Sequence, residues 1–201
     1  MAKTTTHDSS DVRDNIVAVG QRIMAGKGFS AVGLNEILAT AGVPKGSFYH
    51  YFGSKDAFGE ALLAKYFEDY LADMDRMFQQ ADKTMAERLV DYFESWRANQ
   101  SFYDCQGKCL AVKLGAEVAD LSEPMRLTLK QGTAGIVARL AHAIERGAAD
   151  GSFRAQGDPA QLAESLYQLW LGASVMVKIV RDASPFDAAM ETTQHLLHLA
   201  R

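Results

Sequence analysis

The stretch PKGSFYHYFGSK, residues 44–55, carries four aromatic rings around a single histidine. On a helix, Phe48, Tyr51 and Phe52 lie three and four positions apart, so their rings share one face. That face can pack on Ile37 and Leu38 of the segment before it. The spacing therefore predicts a short helix that buries three rings and leaves its opposite face free.

The free face of this helix is polar and carries Lys45, Ser47, Tyr49 and His50. All four side chains can donate hydrogen bonds to phosphate oxygens or to base edges. The AGVP turn before the helix places Gly42 where a tight link between two helices commonly needs a positive φ. The pattern favours a DNA-reading helix-turn-helix over an ordinary helical hairpin whose exposed Tyr49 and His50 bind nothing.

The rest of the chain repeats apolar residues at helical spacing and has almost no strand signal, which predicts an all-α protein. We expect a first helix that stops at Gly26 or Gly28, and a fourth that begins after Ser54 as its N-cap. A short second helix is predicted over residues 34–41, and longer helices over 84–99, 109–120 and 122–147. Two more open at Pro159 and Pro185, since proline suits the first turn of a helix.

The composition fits a packed intracellular protein. Hydrophobic residues make up 48% of the 201 residues and charged residues 23%, which supports a buried core. No apolar run approaches the ~18 residues of a membrane-spanning helix, and the first residues lack the apolar core of a secretory signal. With two cysteines and no leader, we expect a cytoplasmic protein with free thiols, no membrane partner, no metal ion and no cofactor.

The charge of the chain is uneven. The net charge of −4 argues against a general coat of positive charge for nucleic acid. Residues 1–56 carry six basic and five acidic side chains, whereas residues 57–201 carry 15 basic and 20 acidic ones. This asymmetry permits a DNA contact at the N-terminal end without requiring one.

The longer segment GFSAVGLNEILATAGVPKGSFYHYFGSKDAFGEALL resembles the N-terminal signature of the TetR family of bacterial transcriptional regulators. The resemblance implies a three-helix helix-turn-helix domain over residues 1–56 and a larger helical regulatory and dimerisation domain over 57–201. It implies a repressor of double-stranded operator DNA rather than an enzyme. By position it assigns the DNA contacts to Pro44, Lys45, Gly46, Ser47, Tyr49, His50 and Lys55, and core roles to Phe48, Tyr51 and Phe52.

The start of the second helix departs from the family pattern. Many members carry a Thr or Ser there that contacts phosphate, and this sequence reads Val32-Gly33-Leu34-Asn35. A backbone N–H at a helix N-terminus can still bind phosphate. We therefore expect the contact to persist without a hydroxyl side chain.

The last two predicted helices are apolar on more than one side. Leu166, Ala173 and Val177 belong to one stripe, while Trp170 and Val175 lie off it. A single buried helix explains this pattern, and so does a helix pair that packs against its copy in a four-helix dimer bundle. The segment GDPAQLAESLYQLWLGA resembles the dimer helix of the TetR family, which implies a homodimer through these two helices.

Cys105 and Cys109 lie four residues apart, without histidine partners for a zinc site nearby. A lone cysteine is most often a small buried apolar residue, and a disulfide at this spacing on a regular helix is geometrically awkward. Cys109, however, follows Lys108 and precedes Lys113 by one helical turn, and nearby cations favour the reactive thiolate. The residues alone leave the inert and the reactive interpretations open.

The neighbourhood CLAVKLGAEVADLSEPMR is similar to the NemR-like branch of the TetR family, which responds to electrophiles through a cysteine in a Gly-Cys-Leu-x-x-Lys-Leu-x-x-Glu context. The segment LYQLWLGASVMVKI resembles the same branch and supplies Lys178, which there lies close to the sensing cysteine. The resemblance implies release from the operator when quinones, aldehydes, N-substituted maleimides or hypochlorite-type oxidants modify Cys109. The branch has glycine in place of Lys108, and it has no counterpart of Cys105, which is a resolving thiol or has no role.

Two other functions stay open from the sequence. A reversible pocket for a small organic effector is predicted from side chains of the kind that line family cavities: Trp96, Phe102, Tyr103, Met125, Tyr167 and Trp170. A thiol enzyme of all-helical build would need a base beside Cys109, and no histidine is near it in the sequence.

Overall fold

The protein is all-helical in a computed structural model that describes residues 8–99, 109–154 and 157–198. Within these ranges the helices are α1 (Asp8–Lys27), α2 (Leu34–Ala41), α3 (Lys45–Tyr51), α4 (Lys55–Phe78), α5 (Met85–Asn99), α6 (Leu110–Leu121), α7 (Glu123–Ala149), α8 (Pro159–Val180) and α9 (Ser184–Leu197). The all-α prediction is confirmed. None of the helices in these ranges is long and apolar enough to cross a membrane.

Local signals in the sequence account for several helix ends. α1 stops before Gly28, whose φ is +91°, and α2 stops at Gly42, whose φ is +69°. Ser54 caps α4, because its hydroxyl accepts the N–H of Ala57 at 3.0 Å. These predictions are confirmed, and their reasons are local: glycine adopts positive φ without steric cost, and serine satisfies a free helix N–H.

The first three helices pack around aromatic rings that also reach α4. Phe48 of α3 is fully buried, and its ring centre lies 5.2 Å from Phe52 and 5.5 Å from Phe58 of α4. The predicted inner face is confirmed for Phe48 and Phe52, while Tyr51 is only half-buried. Because ring pairs at these separations stabilise their packing, the start of α4 helps to fix the direction of α3.

α4 runs without a break from this three-helix unit into the rest of the molecule, so the predicted boundary at residue 56 falls in its first turn. Further along, α4 packs closely on α7. A Cβ atom at Gly132 would lie 2.2 Å from the ring of Phe67, so only glycine permits this approach. Arg139 of α7 also binds Asp75 of α4 through two hydrogen bonds of 2.7 Å each. Shape and charge together therefore hold the two helices.

α8 has one face in the core and a second at the surface. On the inner face Trp170 is fully buried, stacks 4.7 Å from Phe93 and donates its ring N–H to Thr193 of α9 at 3.0 Å. The outer face exposes large apolar side chains, namely Val175, Met176 and Ile179. α8 is therefore not a fully buried helix in the single chain, and its outer apolar face is exposed.

Candidate DNA-reading surface and sensing cavity

α3 presents a polar surface on the side away from its buried ring. The residues predicted to contact DNA on and just before this helix are Pro44, Lys45, Gly46, Ser47, Tyr49 and His50. All of them are exposed except Ser47, which is partly exposed. Tyr49 is 55% exposed, a high value for a large ring. A short helix with such a face has the shape that enters a DNA major groove and meets base edges.

α2 begins at Gly33 as its N-cap, with no side-chain hydrogen bond to close the first turn. Gly33 itself has no side chain for an anion, so the backbone N–H groups of the first turn are the groups that the sequence expectation relies on.

Lys55, which the resemblance assigns to a phosphate contact, is bound within the molecule. Its Nζ donates to the carbonyl of Phe29 at 2.8 Å and lies 4.6 Å from the centre of the Phe29 ring. In this arrangement the ammonium holds the turn between α1 and α2. Its contact with DNA stays a prediction.

A cavity of about 250 Å³ lies between α4, α5 and the start of α6. It is lined by Tyr66, Tyr70, Asp73, Met74 and Met77 of α4, by Tyr92, Ser95, Trp96 and Asn99 of α5, and by Cys109. Aromatic walls with a few polar groups are typical of small-molecule sites, which commonly measure ~300–1,000 Å³. The cavity is therefore suited to a small ligand or to a reagent that attacks the sulfur.

Cys109 is a free thiol at the N-cap position of α6 and is only 9% exposed. Burial raises the pKa of this thiol, because the thiolate loses its hydration. The Tyr66 hydroxyl, which donates to the sulfur, acts in the opposite direction, as do the first N–H groups of α6 and the charge of Lys178. Burial outweighs these influences, so the pKa of the Cys109 thiol lies above its ordinary value. The expected effect of Lys108 on the sulfur stays a prediction, because Lys108 lies outside the described residues.

Four tyrosine hydroxyls lie near this sulfur, those of Tyr66, Tyr70, Tyr92 and Tyr167. Burial raises the pKa of each phenol, and the proximity of Cys109 raises it further. All four are therefore neutral at physiological pH and available as hydrogen-bond donors. The hydroxyls of Tyr70 and Tyr92 form a hydrogen bond with an O···O distance of 2.9 Å. The buried Tyr167 hydroxyl has no hydrogen-bond partner in the part of the chain that the structure describes.

Two family profiles cover most of the chain. Residues 16–62 match the bacterial regulatory proteins of the tetR family, and residues 86–193 match the tetracyclin repressor-like C-terminal domain. The chain belongs to the TetR family. The helix-turn-helix interpretation of α2 and α3 is therefore confirmed, and the ordinary hairpin is set aside.

Several TetR-family proteins are similar to this chain along most of their length. The HTH-type transcriptional repressor NemR of Escherichia coli (strain K12) is 37% identical over 191 residues, which are 95% of this chain and 96% of that protein. The repressor DhaR of Mycobacterium sp. (strain GP1) is 34% identical over 88% of this chain and 87% of that protein. The crystal structure of E. coli NemR in its reduced form has a TM-score of 0.88 at 38% identity, covering 93% of this chain and 97% of that chain. The predicted resemblance to the NemR-like branch is confirmed.

The structure brings together some of the sensing residues predicted for this TetR-family chain. Trp96 lines the cavity beside Cys109, and its ring N–H donates to Ser174 at 2.9 Å. Lys178 is close enough for its charge to act on the sulfur. Lys113 lies one turn into α6 and is partly exposed. Phe102, Tyr103, Cys105 and Lys108 lie outside the described residues.

The predicted aromatic pocket is built differently from the expectation. Met125 and Trp170 are fully buried in the packed core, while Tyr167 lies near the sulfur. The cavity walls instead use Tyr66, Tyr70 and Tyr92, which the sequence reasoning missed. The four-residue spacing of Tyr66 and Tyr70, which puts both on one helix face, was the available signal. Only the packing of α5 against α4 shows that this face meets Tyr92.

Proposed function

We propose that this protein is a cytoplasmic transcriptional repressor that binds operator DNA as a homodimer and leaves it when an electrophile or oxidant modifies Cys109. The observation that carries the proposal is the free thiol of Cys109 in the wall of a cavity, at the first turn of α6. This helix contacts the turn between α1 and α2 through Glu117. Regulators of the TetR family bind operator DNA as dimers, and two similar members are named repressors.

Cys109 reacts with a quinone or a maleimide by addition to the activated double bond of the reagent. The sulfur of Cys109 forms a bond to one alkene carbon, the π bond breaks, and the thiol proton ends on the neighbouring carbon. A hypochlorite-type oxidant instead takes two electrons from the sulfur, and water supplies the oxygen of the resulting sulfenic acid. In either case the sulfur gains atoms inside a cavity of about 250 Å³, whose walls include α4 and α6.

Added volume, rather than lost charge, is the driving force that we infer. To move the repressor from almost fully DNA-bound to almost fully released, modification must favour the released conformation over the DNA-binding one by about 5.5 kcal/mol. Because burial raises the pKa of Cys109, few molecules hold a thiolate next to Lys178, and loss of that pair contributes little. The adduct takes up space in the cavity between α4, α5 and the start of α6 and changes how these helices pack, and a symmetric dimer carries two such sites.

Operator binding before and after treatment with N-ethylmaleimide tests the proposal. The probe is the promoter DNA beside the protein's own gene, and intact-mass spectrometry counts the adducts on each subunit. We expect one adduct on Cys109 and loss of DNA binding in parallel. An adduct on Cys109 with unchanged DNA binding contradicts the proposal.

The Tyr66→Phe variant should react more slowly at Cys109. The Tyr66 hydroxyl donates to the sulfur and lowers the pKa of the thiol against the effect of burial, and such a bond is worth about 0.5–1.5 kcal/mol. We therefore expect the alkylation rate at neutral pH to fall by about 2- to 10-fold. Since the thiolate is the reacting form, the rate should rise about tenfold per pH unit and continue to rise beyond the ordinary thiol pKa of 9.0.

The matched control for this measurement is Tyr70→Phe. Tyr70 lines the same cavity, but its hydroxyl bonds to that of Tyr92. Its rate and pH profile should stay within about twofold of the unaltered protein. Equal effects of the two substitutions on the alkylation rate would show that the Tyr66 hydroxyl does not act on the sulfur through a specific hydrogen bond.

The Lys45→Ala variant should bind operator DNA with weaker salt dependence. Lys45 is exposed at the start of α3, and each phosphate contact contributes about −0.9 to the slope of log K against log salt. Loss of one contact in each subunit should therefore reduce that slope by about 2. Lys130→Ala on the surface of α7 makes the same charge change and should leave the slope as it was.

A reversible organic ligand is a second candidate effector for the same repressor. The cavity itself favours it, because its aromatic walls and few polar groups are typical of small-molecule sites. Release from DNA that is reversed by dialysis, with no adduct on Cys109, would support the ligand over the covalent switch. Nothing in the described cavity lining supplies a histidine base for a thiol enzyme.

A further inference from the structure

A carboxylate of α6 holds the turn between α1 and α2. Glu117 accepts the N–H of Ser30 at 2.7 Å with Oε1 and the N–H of Phe29 at 3.0 Å with Oε2. Both carboxylate oxygens are thus used by consecutive backbone donors of a turn, where no helix ladder would satisfy them. This contact joins a regulatory helix directly to the three-helix DNA-binding unit.

The turn is shaped to receive this carboxylate. Gly28, immediately before the two donors, has a φ of +91°, and a Cβ atom there would lie 3.1 Å from Oε2 of Glu117. A positive φ at this point favours glycine, and such a turn lets successive N–H groups converge on one anion. The backbone and the carboxylate are therefore complementary.

The charge of Glu117 is secured by its surroundings. Partial burial acts to raise the pKa of Glu117, but the hydrogen bonds from Ser30 and Phe29 and the charge of Lys55 outweigh it, and the pKa lies below its ordinary value. Lys55 holds the same turn from α4 through the Phe29 carbonyl at 2.8 Å. The turn is thus fixed between α6 and α4 by two oppositely charged side chains.

Cys109 and Glu117 lie on the same helix, α6. Cys109 is the N-cap of α6, and Glu117 lies about 12 Å further along the axis, at ~1.5 Å per residue. Leu110, Leu114 and Val118 are buried along one stripe of α6, so the helix is seated as one body. A displacement of its first turn therefore moves its later turns as well.

We propose that Glu117 is the latch through which α6 couples Cys109 to the DNA-binding unit. While the thiol is unmodified, the carboxylate fixes the α1–α2 turn and thereby the angle of α3. An adduct on Cys109 shifts α6, and a shift of about 1 Å takes both N–H···O contacts beyond hydrogen-bonding distance. This inference rests on the proposed thiol switch, and it gives a role to the residue that closes the Cys-Leu-x-x-Lys-Leu-x-x-Glu pattern.

Glu117→Gln tests the latch with an isosteric side chain. The amide keeps one acceptor but turns its NH₂ group towards a backbone N–H, so one bond is lost and a donor faces a donor. We expect the unmodified variant to bind operator DNA about 10- to 100-fold more weakly, and alkylation to cause a correspondingly smaller further loss. Intact-mass spectrometry should show Cys109 reacting with N-ethylmaleimide at the unaltered rate. Asp120→Asn, the same charge change at an exposed position of α6, should behave as the unaltered protein does.

Hydrogen exchange on the unsubstituted protein gives a second test that needs no variant. Peptides covering residues 28–33 should exchange at least about tenfold faster once Cys109 carries the maleimide. If alkylation releases the protein from DNA while these amides keep their protection, or while Glu117→Gln responds fully, the latch is wrong and the thiol switch stands. If alkylated protein stays on the operator, the proposed thiol switch and the latch are both overturned.

Discussion

A Cys109→Ser repressor should remain on its operator in the presence of N-ethylmaleimide. In the unaltered protein, alkylation must change the equilibrium ratio of the DNA-binding to the released conformation by about 10⁴-fold to empty the operator. Serine is smaller and does not add to the maleimide double bond at neutral pH, so the ratio of operator affinities before and after treatment should fall to about 1. Fluorescence anisotropy with labelled operator DNA measures both affinities directly.

The second cysteine supplies the matched control for this experiment. Cys105→Ser retains Cys109 and should keep the full response if Cys105 has no role. A response that survives Cys109→Ser but disappears in Cys105→Ser would transfer the sensor to the other sulfur and contradict the proposal. Serine is close to cysteine in size and is a preferred residue at the N-cap position that Cys109 occupies, so unmodified Cys109→Ser should bind DNA with nearly the original affinity.

An Ile179→Asp variant should be monomeric and should bind operator DNA about 10²- to 10⁴-fold more weakly. Ile179 is 66% exposed in the single chain, beside Met176 at 45% and Val175 at 47%. A charge placed in the middle of an interface built on such residues would have to be buried without a partner. Without the dimer each half-operator is bound separately, and the gain from linked binding is lost.

The control for the dimer experiment is Leu127→Asp. Leu127 is 49% exposed on α7, so the substitution introduces the same charge at a similarly exposed apolar position outside α8 and α9. Light scattering coupled to size exclusion should report a dimer for Leu127→Asp and a monomer for Ile179→Asp. A dimer that persists in Ile179→Asp with full DNA binding would place the interface elsewhere.

Much of the fold follows from short-range sequence signals. The ends of α1, α2 and α4 depend on Gly28, Gly42 and Ser54, whose preferences act within one turn of the chain. The inner and outer faces of α3 follow from a spacing of three and four residues. For the same reason the exposed polar face of α3 was predictable before any packing was known. Tyr51, half-buried at the end of α3, shows how a helix end weakens that periodicity.

The candidate sensing cavity was only partly predictable. The pattern around Cys109 pointed to the sulfur and to Lys178, but it missed the tyrosines of α4 and α5 that build the cavity walls. It could not show how strongly burial acts on the thiol. Charges adjacent in sequence argue for a thiolate, whereas the pKa of the folded protein follows the water that burial removes.

The sequence by itself determined the family, the helices and the exposed polar face of α3, because these depend on local periodicity, turn chemistry and an ordered motif. Only the tertiary structure decided that Cys109 is buried beside tyrosine hydroxyls, that Lys55 binds the Phe29 carbonyl, and that Glu117 reaches the α1–α2 turn. Each of these depends on partners that are distant in sequence and on desolvation. Contacts between distant residues and the loss of water on burial cannot be read from a short stretch of the chain.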